Sequence, residues 1–292
     1  MMISAHVLVK NEARFLWYSV MSVINYVDRV RLWDTGSTDN THKIIRELQN
    51  SKEGQNKIFF KQEILHYFNE EKARQIMLAE DFQVVRQKML SVTTADWFMV
   101  VDGDEIWWND SIKQVTDFMR KNGKRYESIV VPTVNVVGDM FHYQEKQAGK
   151  YHLLGKVGHY NLRAINRDIP GLKSLGRHGL WGWADENNTM IQDRDQAKIK
   201  FLDAPYLHTT HLRRSGIKIK DKEVVKRNRK FKYEIGIDFP RDYYYPEVFF
   251  RPRPNIVPSP WKTMGPGYTF RAFFETPLRK INRRIMPVKV GY

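Results

Sequence analysis

The segment Asp102-Gly103-Asp104-Glu105 places three carboxylates within four residues. Carboxylates this close repel one another, so a cation is their natural partner. Carboxylate oxygens are hard ligands and favour Mg²⁺ or Mn²⁺, particularly where the phosphates of a substrate complete the coordination shell. Gly103 has no side chain and lets the backbone approach such a ligand closely. The alternative is a strand-to-helix turn capped by an aspartate, and three residues alone do not decide between the two.

The elements around this acidic segment favour the metal site. The apolar run 97–101 predicts a strand buried on both faces, and Asp102 follows it directly. Two other polar groups also follow predicted strands: Lys10-Asn11-Glu12 after a strand ending at Val9, and Asp34 after a strand over 30–33. Ligands of parallel sheets bind beyond the carboxyl ends of the strands. The pattern therefore predicts that the three polar groups share one site.

The spacing of apolar residues alternates between strand and helix patterns over the first 140 residues. Strands are predicted at 7–9, 30–33, 58–60, 97–101 and 128–137, and helices over 16–24, 44–48, 82–89 and 112–119. This alternation predicts an α/β fold with a Rossmann-like, mostly parallel sheet flanked by helices. Residues 141–206 are irregular and predict loops and short strands around a pocket.

The composition excludes several classes of protein. With 42% hydrophobic and 13% aromatic residues, the 292-residue chain can bury a core, which argues against disorder. It contains no run near the roughly 18–20 apolar residues that a membrane span needs, and its apolar start is too short for a signal peptide. The absence of cysteine excludes disulfides and thiolate metal sites, and it fits a cytoplasmic protein.

The positive charge is concentrated at the end of the sequence. The net charge is +15; residues 211–292 hold 20 Lys and Arg against 7 Asp and Glu, and the first 210 residues hold 28 against 26. Such a basic end predicts contact with phosphates, the alternative being a merely solvated surface. Apolar residues alternate there with arginine and lysine, as in a helix at an anionic membrane surface: Phe270, Phe273, Phe274, Leu278, Ile281 and Ile285. Packing on the catalytic domain is the equal alternative, and nucleic acid is disfavoured because no recognition motif is present.

Four segments together resemble the family 2 glycosyltransferases, which have the GT-A fold. They are VKNE at 9–12, DTGSTDNT at 34–41, FQVVRQ at 82–87 and DWFMVVDGDE at 96–105. Their order and spacing match over about the first 110 residues. The resemblance implies an inverting transfer from a nucleoside-diphosphate sugar, with Mn²⁺ or Mg²⁺. It also implies a glycan or lipid-linked acceptor and a role in making surface polysaccharide or glycoconjugates.

The resemblance also implies roles for residues on the nucleoside side of the site. Asp34 corresponds to the carboxylate that accepts a hydrogen bond from the base, and Glu12 lies in the loop that flanks the nucleoside. Arg86 falls where the family has a basic residue near the donor. The sequence departs from the family pattern at Lys10, usually small or aromatic, and at Gln87, commonly Asn. These departures leave the donor base and sugar open.

On the metal side, the resemblance makes Asp102 the acid close to the ribose and the metal, with Gly103 beside it. Asp104 corresponds to the direct metal ligand. Many relatives complete the metal shell with a late histidine, and the candidates are His208 and His211. In a strand these two point to opposite faces, so only one can serve, and we favour His208. The alternative is a hydrogen-bonded structural histidine; His178 is a further candidate.

The acceptor hydroxyl needs a general base, which we expect in the second half of the chain. Asp185 and Glu186 are the candidates, with Asp185 preferred, because they follow Trp181-Gly182-Trp183 and aromatic rings pack on sugars. The alternative is an ordinary surface turn beside two buried tryptophans. Arg163 is a candidate phosphate or acceptor ligand, with a surface salt bridge as the alternative.

The sequence thus predicts a catalytic domain over 1–212 and a basic C-terminal extension over 213–292. Within the domain, 1–110 form the donor half and 111–212 the acceptor half. The predicted location is the cytoplasm, with a possible peripheral position at the inner face of the membrane. Two other functions stay open: a sugar-phosphate nucleotidyltransferase, disfavoured because no Gly-rich phosphate loop follows the first strand, and a non-catalytic nucleotide-sugar-binding protein on the same scaffold.

Overall fold

The computed structural model describes residues 1–63, 82–176, 181–224, 227–285 and 289–290. The strands are β1 (Ile3–Val9), β2 (Arg29–Asp34), β3 (Ile58–Gln62), β4 (Trp97–Val100), β5 (Glu105–Trp107), β6 (Ser128–Asn135), β7 (His142–Tyr143), β8 (Tyr151–Leu153), β9 (Lys156–Gly158), β10 (Tyr160–Asn166), β11 (Lys173–Leu175), β12 (Gly182–Ala184), β13 (Ile199–Phe201), β14 (Tyr206–His208), β15 (Ile237–Asp238) and β16 (Lys289–Val290). The helices are α1 (Leu16–Val23), α2 (Thr41–Asn50), α3 (including 82–91), α4 (Asn109–Asn122), α5 (Lys218–Lys222), α6 (Arg227–Lys230) and α7 (Pro266–Ile285).

One mixed sheet forms the centre of the protein, in the order β3-β2-β1-β4-β10-β6-β14-β5, with β13 pairing with β6. Strands β3, β2, β1 and β4 are mutually parallel, whereas β10 runs antiparallel to both β4 and β6. The predicted α/β fold with a mostly parallel sheet flanked by helices is confirmed. After β1 the chain adds strands on one side, and β4 then returns to the other side. The junction of β1 and β4 is therefore a topological switch point, the place where open α/β sheets bind ligands.

Strand β4 is buried on both faces, as its continuous apolar run predicts. Because side chains alternate between faces, Trp97 and Met99 enter one hydrophobic cluster and Phe98 and Val100 enter another. Helices α1, α2 and α4 contribute to the first cluster. The second is closed by the β11–β12 hairpin, where the Trp183 ring lies 4.9 Å from that of Phe98. Two layers thus hold β4 rigidly where it delivers the acidic segment.

Residues on both sides of the predicted boundary at 212/213 share one hydrophobic core. Val248, Phe249 and Val257 belong to the same cluster as α1, and the Tyr18 hydroxyl donates a hydrogen bond to Pro258 O at 2.9 Å. Part of the predicted extension therefore packs on the catalytic fold. The predicted division into domains stays a prediction about folding units, but the first part of the basic region is not a detached appendage.

Helix α7 is the element that the pattern of apolar residues did not delimit. Pro266 stands at its first position, where a missing N–H costs nothing, and Pro277 lies inside it. Two prolines in 20 residues obscure a helix in the sequence. No helix within the described ranges is both long and apolar enough to span a bilayer.

Candidate functional site

The polar segments that follow β1 and β4 are in direct contact, as their parallel pairing requires. A Cβ built on Gly103 would lie 3.0 Å from both Glu12 Cγ and Val9 Cγ1. That spacing is tighter than most Cβ contacts, so a side chain at 103 would push the two loops apart. Gly103 therefore sets the distance between Glu12 and the acidic segment.

The turn after β2 is organised by Asp34, whose side chain is completely buried. Its Oδ2 accepts hydrogen bonds from the backbone N–H groups of Gly36 and Ser37 at 3.0 and 2.9 Å and lies 3.1 Å from His42 Nε2. Its Oδ1 accepts a hydrogen bond from the Ser37 hydroxyl. Each carboxylate oxygen can accept two hydrogen bonds, so Oδ1 keeps one acceptor position for a ligand.

Arg86 joins helix α3 to the acidic segment. Its Nη2 donates to Asp102 Oδ1 at 3.0 Å, and its guanidinium lies against the rings of both Phe82 and Trp181, 5.1 and 5.2 Å from their centroids. Burial alone would raise the pKa of Asp102, but the Arg86 and Arg163 guanidiniums outweigh it and the net pKa lies below the usual value. Asp102 is thus an ionised carboxylate, and its side chain keeps 36% of its surface exposed.

Asp104 is completely buried and lies among cationic groups from the C-terminal half. Its Oδ2 is 2.6 Å from Arg214 Nη1 and 3.4 Å from His208 Nε2. Burial opposes ionisation, but Arg214 and His208 hold the net pKa of Asp104 well below its usual range. Of the two candidate histidines, His208 is the one that contacts Asp104, whereas His211 Nδ1 lies 2.8 Å from Lys230 O. His178 lies outside the described residues.

Glu12 shares Arg214 with Asp104. Its Oε1 is 3.1 Å from Arg214 Nη1 and pairs with Arg227 Nη2, which also donates to Lys10 O at 2.8 Å. Burial outweighs both guanidiniums and raises the pKa of Glu12 to about 7. Arg227 and Arg214 therefore bind the loop after β1 to the basic C-terminal region.

Arg163 is buried and is not the surface salt bridge that was one alternative for it. Its Nη2 pairs with Glu105, and its Nε donates to the Tyr206 hydroxyl at 3.1 Å. The other carboxylate oxygen of Glu105 accepts a hydrogen bond from Asp102 N at 3.3 Å. Burial raises the pKa of Glu105 to about 8 despite the opposing effect of Arg163. This pair ties the acidic turn to β10.

The structure does not bring Asp185 and Glu186 to this cluster. Asp185 pairs with Arg194 and accepts hydrogen bonds from the backbone N–H groups of Asn187 and Thr189, both at 2.9 Å. Arg194 also binds Glu127, which immediately precedes β6 and so lies at the amino edge of the sheet.

The acidic segment lies at the opposite, carboxyl edge. Glu186, beside Asp185, is exposed to solvent. The assignment of Asp185 or Glu186 as general base stays a prediction: Trp181 lies against Arg86, whereas Asp185 pairs with Arg194 away from the acidic segment.

Whether these residues fit a divalent cation can be judged from the Asp104 carboxylate. Its Oδ1 is buried and accepts no hydrogen bond from any described residue. No group of three or more histidine and acidic side chains is assembled as a metal cluster within the described ranges. Asp104 thus offers one open carboxylate oxygen, with His208 beside its other oxygen, but Asp102, Asp104 and His208 are not assembled into one cation site.

Sequence reasoning missed Arg214, Arg227 and Lys230. Arg214 and Arg227 pair with acids of the site, and the charges of Asp104 and Asp102 act on Lys230, whose pKa is nonetheless lowered by burial and by Arg214. Their signal was the basic end over 211–292, which was interpreted as a surface that contacts phosphates. Within the fold, its first function is to balance the buried carboxylates.

Comparison with known proteins gives the family. The family model described as "Glycosyl transferase family 2" matches residues 4–172. Comparison with curated proteins gave no significant match.

Among solved structures, S. aureus TarS 1–349 is 14% identical with a TM-score of 0.41, covering 72% of this chain and 61% of that chain. Glucosyl-3-phosphoglycerate synthase from Mycobacterium tuberculosis, in complex with Mg²⁺ and uridine diphosphate, is 15% identical with a TM-score of 0.41, covering 71% of each chain. This chain thus matches less than two thirds of the TarS chain. Because the family model covers more than half of the sequence and spans the strands that carry the acidic site, the chain belongs to glycosyl transferase family 2.

Proposed function

We propose that this protein transfers a sugar, with inversion, from a nucleoside-diphosphate sugar to a hydroxyl group of a glycan or lipid-linked acceptor in the synthesis of surface glycans. The observation that carries the proposal is the convergence of four acids at the carboxyl edge of the sheet: Glu12, Asp34, Asp102 and Asp104. They lie around the switch point between β1 and β4, where ligands of such sheets bind.

The charges of the site suit a diphosphate leaving group. This group gains negative charge as the glycosidic bond breaks, and fixed cations stabilise it. Arg86 and Lys230 come from opposite sides of the acidic segment and provide positive charge. A divalent metal, held by Asp102, Asp104 and His208, would act there as a Lewis acid. Asp34 keeps its free Oδ1 position for the base, and Glu12 shapes the adjoining loop.

The donor site can be tested by thermal unfolding with a panel of nucleoside diphosphates, each measured with Mn²⁺ and with excess chelator. One nucleotide at 100 times its dissociation constant should stabilise the protein by about 2.7 kcal/mol. Arg86→Gln should weaken this nucleotide about tenfold or more, because a charge-assisted hydrogen bond contributes about 1.5–3 kcal/mol. Arg46→Gln, on the exposed face of α2, is the matched control. The donor proposal fails if no nucleoside diphosphate stabilises the chain, and binding without turnover would favour the non-catalytic alternative.

We further propose that the protein works at the inner face of the membrane through α7. Its apolar side chains are between 53% and 76% exposed: Phe270, Phe273, Phe274, Leu278, Ile281 and Ile285. At 100° per residue they fall on one side of the helix, opposite the buried Ala272 and Thr276. Lys280 and Arg284 flank this apolar stripe. Their charge suits an anionic bilayer rather than a neutral apolar surface.

Vesicle sedimentation tests the membrane contact. The chain should bind vesicles that contain phosphatidylglycerol and bind neutral phosphatidylcholine vesicles much less. Replacing two exposed side chains, Phe270→Ser and Ile281→Ser, should lower binding at least tenfold, because each buried apolar side chain contributes about 1.5–3 kcal/mol. Phe59→Ser, which removes a 46% exposed phenylalanine from β3, should not change it. Equal sedimentation of the wild type, the Phe270→Ser/Ile281→Ser variant and the Phe59→Ser variant would contradict the proposal.

A further inference from the structure

A cavity of about 530 Å³ lies on the acceptor side of Asp104. We call it the cationic cavity. Its floor is the face of the sheet that carries Thr133 and Asn135 of β6, together with His208 of β14, which pairs with Asn135 in the strand register. His208 is also the residue that lies 3.4 Å from Asp104. The cationic cavity therefore opens directly beside the acidic segment.

The wall of the cationic cavity carries positive charge, and none of the described residues that line it is acidic. Arg279 and Arg283 of α7 face it, but they are paired with Glu275 and Glu234. No carboxylate of the described chain lies within ion-pair distance of the other cations of the wall: Lys150, Arg229, Lys230 and Lys232. Lys230 feels the charges of Asp104 and Asp102, whereas Lys150, Arg229 and Lys232 face the same space with no acid among the described residues within ion-pair distance.

Like charges held this close are unfavourable without an anion. Burial, followed by the charge of the neighbouring Arg283, lowers the pKa of Lys232 to about 8. A bound anion would relieve this repulsion, and a phosphate offers several oxygens to several cations at once.

The floor provides a second, independent indication of a ligand. Asn135 Oδ1 and Thr133 Oγ1 are buried, and neither has a hydrogen-bond partner among the described residues. Asn135 Nδ2, in contrast, is engaged with His159 Nδ1 at 2.9 Å. Buried polar atoms are normally paired, so two open ones on one cavity floor indicate a ligand with hydroxyl groups.

We propose that the cationic cavity binds the acceptor, and that this acceptor carries a phosphate group. Lys150, Arg229 and Lys232 hold the phosphate, Asn135 and Thr133 bind hydroxyl groups, and the reacting hydroxyl faces the His208 side, next to the donor. The assignment of this ligand as acceptor rests on the proposed transferase function. The phosphate belongs either to a soluble sugar phosphate or to the headgroup of a lipid.

Calorimetry on the full chain tests the proposal with glycerol 3-phosphate as probe and glycerol as the uncharged control. Titrations are run without and with the nucleoside diphosphate and Mn²⁺ that fill the donor site. Glycerol 3-phosphate should bind in both conditions, and glycerol should not. Arg229→Gln and Lys232→Gln should each weaken the probe about tenfold. Lys124→Gln removes one exposed charge at the amino edge of the sheet and should leave binding within twofold.

The same titrations separate the two proposals. If Arg229→Gln and Lys232→Gln still bind the nucleotide while they bind the probe more weakly, the acceptor assignment is supported. If they lose only nucleotide binding and still bind the probe, the donor proposal is the one affected. Absence of probe binding, or equal weakening in Lys124→Gln, overturns the inference. Lys150→Gln, on a different segment, replaces either variant if that variant does not fold. A short-chain phosphatidic acid that binds at least tenfold more tightly than glycerol 3-phosphate identifies a lipid source, and equal affinity identifies a soluble one.

Discussion

Asp104→Asn is expected to lower sugar transfer about 10²–10³-fold, the loss typical of removing one electrostatic contact to a developing charge. The substitution keeps the shape of the side chain but removes the charge at the centre of the site. Asp104 is the buried acid with an open Oδ1, so a cation bound there would lose its strongest ligand. Arg214 would keep Glu12 as a partner at 3.1 Å, and the fold should therefore persist.

The measurement is release of nucleoside diphosphate from the donor identified in the thermal screen. Circular dichroism should show that the variant is folded, and Asp117→Asn, on the exposed face of α4, should retain full activity. An active Asp104→Asn protein would contradict the assignment of the acid. Full activity of the wild type in excess chelator would instead remove only the metal from the mechanism.

Above pH 8, where Glu105 is ionised because burial sets its pKa at about 8, Arg163→Met is expected to destabilise the protein by about 3–5 kcal/mol, the cost of breaking a buried ion pair by removing one partner. Glu105 is completely buried and would lose its Arg163 contact, and among the described residues it would keep the Asp102 backbone N–H as a donor. Methionine retains much of the apolar volume of the arginine stem, so the loss should reflect charge rather than packing.

Urea unfolding of the double variant Arg163→Met/Glu105→Gln separates these causes. The double variant removes both charges and should recover most of the lost stability, because replacing a buried pair costs much less than leaving one charge unpaired. Arg167→Met, four positions further along the chain and bound to Thr93 O at 2.8 Å, is the control for an arginine with no acid partner among the described residues. If the double variant is as unstable as Arg163→Met, the ion pair is not the cause.

Most of the donor side follows from local sequence. The period-2 and period-3.6 patterns identify β1, β2, β4 and α3, and parallel pairing then brings the residues after those strands to one edge. Glu12, Asp34 and Asp102 could be grouped in this way because each directly follows a strand. Arg86 was assigned to the same place by the family resemblance alone, and Phe82, Val85 and Met89 of its helix pack together in the structure.

The acceptor side could not be derived in the same way. Asp185 follows two tryptophans, which is a reasonable sugar-binding pattern, but its partners Arg194 and Glu127 are fixed by long-range packing at the opposite edge of the sheet. The way a short hairpin packs on the sheet decides which of its ends faces the site. That packing leaves no periodic pattern in the sequence.

The acidic segment after β4 was evident from the sequence because a buried strand and its end are local features. Its surroundings were decided only by the tertiary structure. Arg214 lies 110 positions after Asp104 and pairs with it because the chain after β14 folds back over the carboxyl edge of the sheet. The charge count located a basic region, but only the fold shows which of its cations neutralise buried acids and which line the cationic cavity with no described acid within ion-pair distance. Electrostatic partners are set by distance in space, and sequence separation carries almost no information about it.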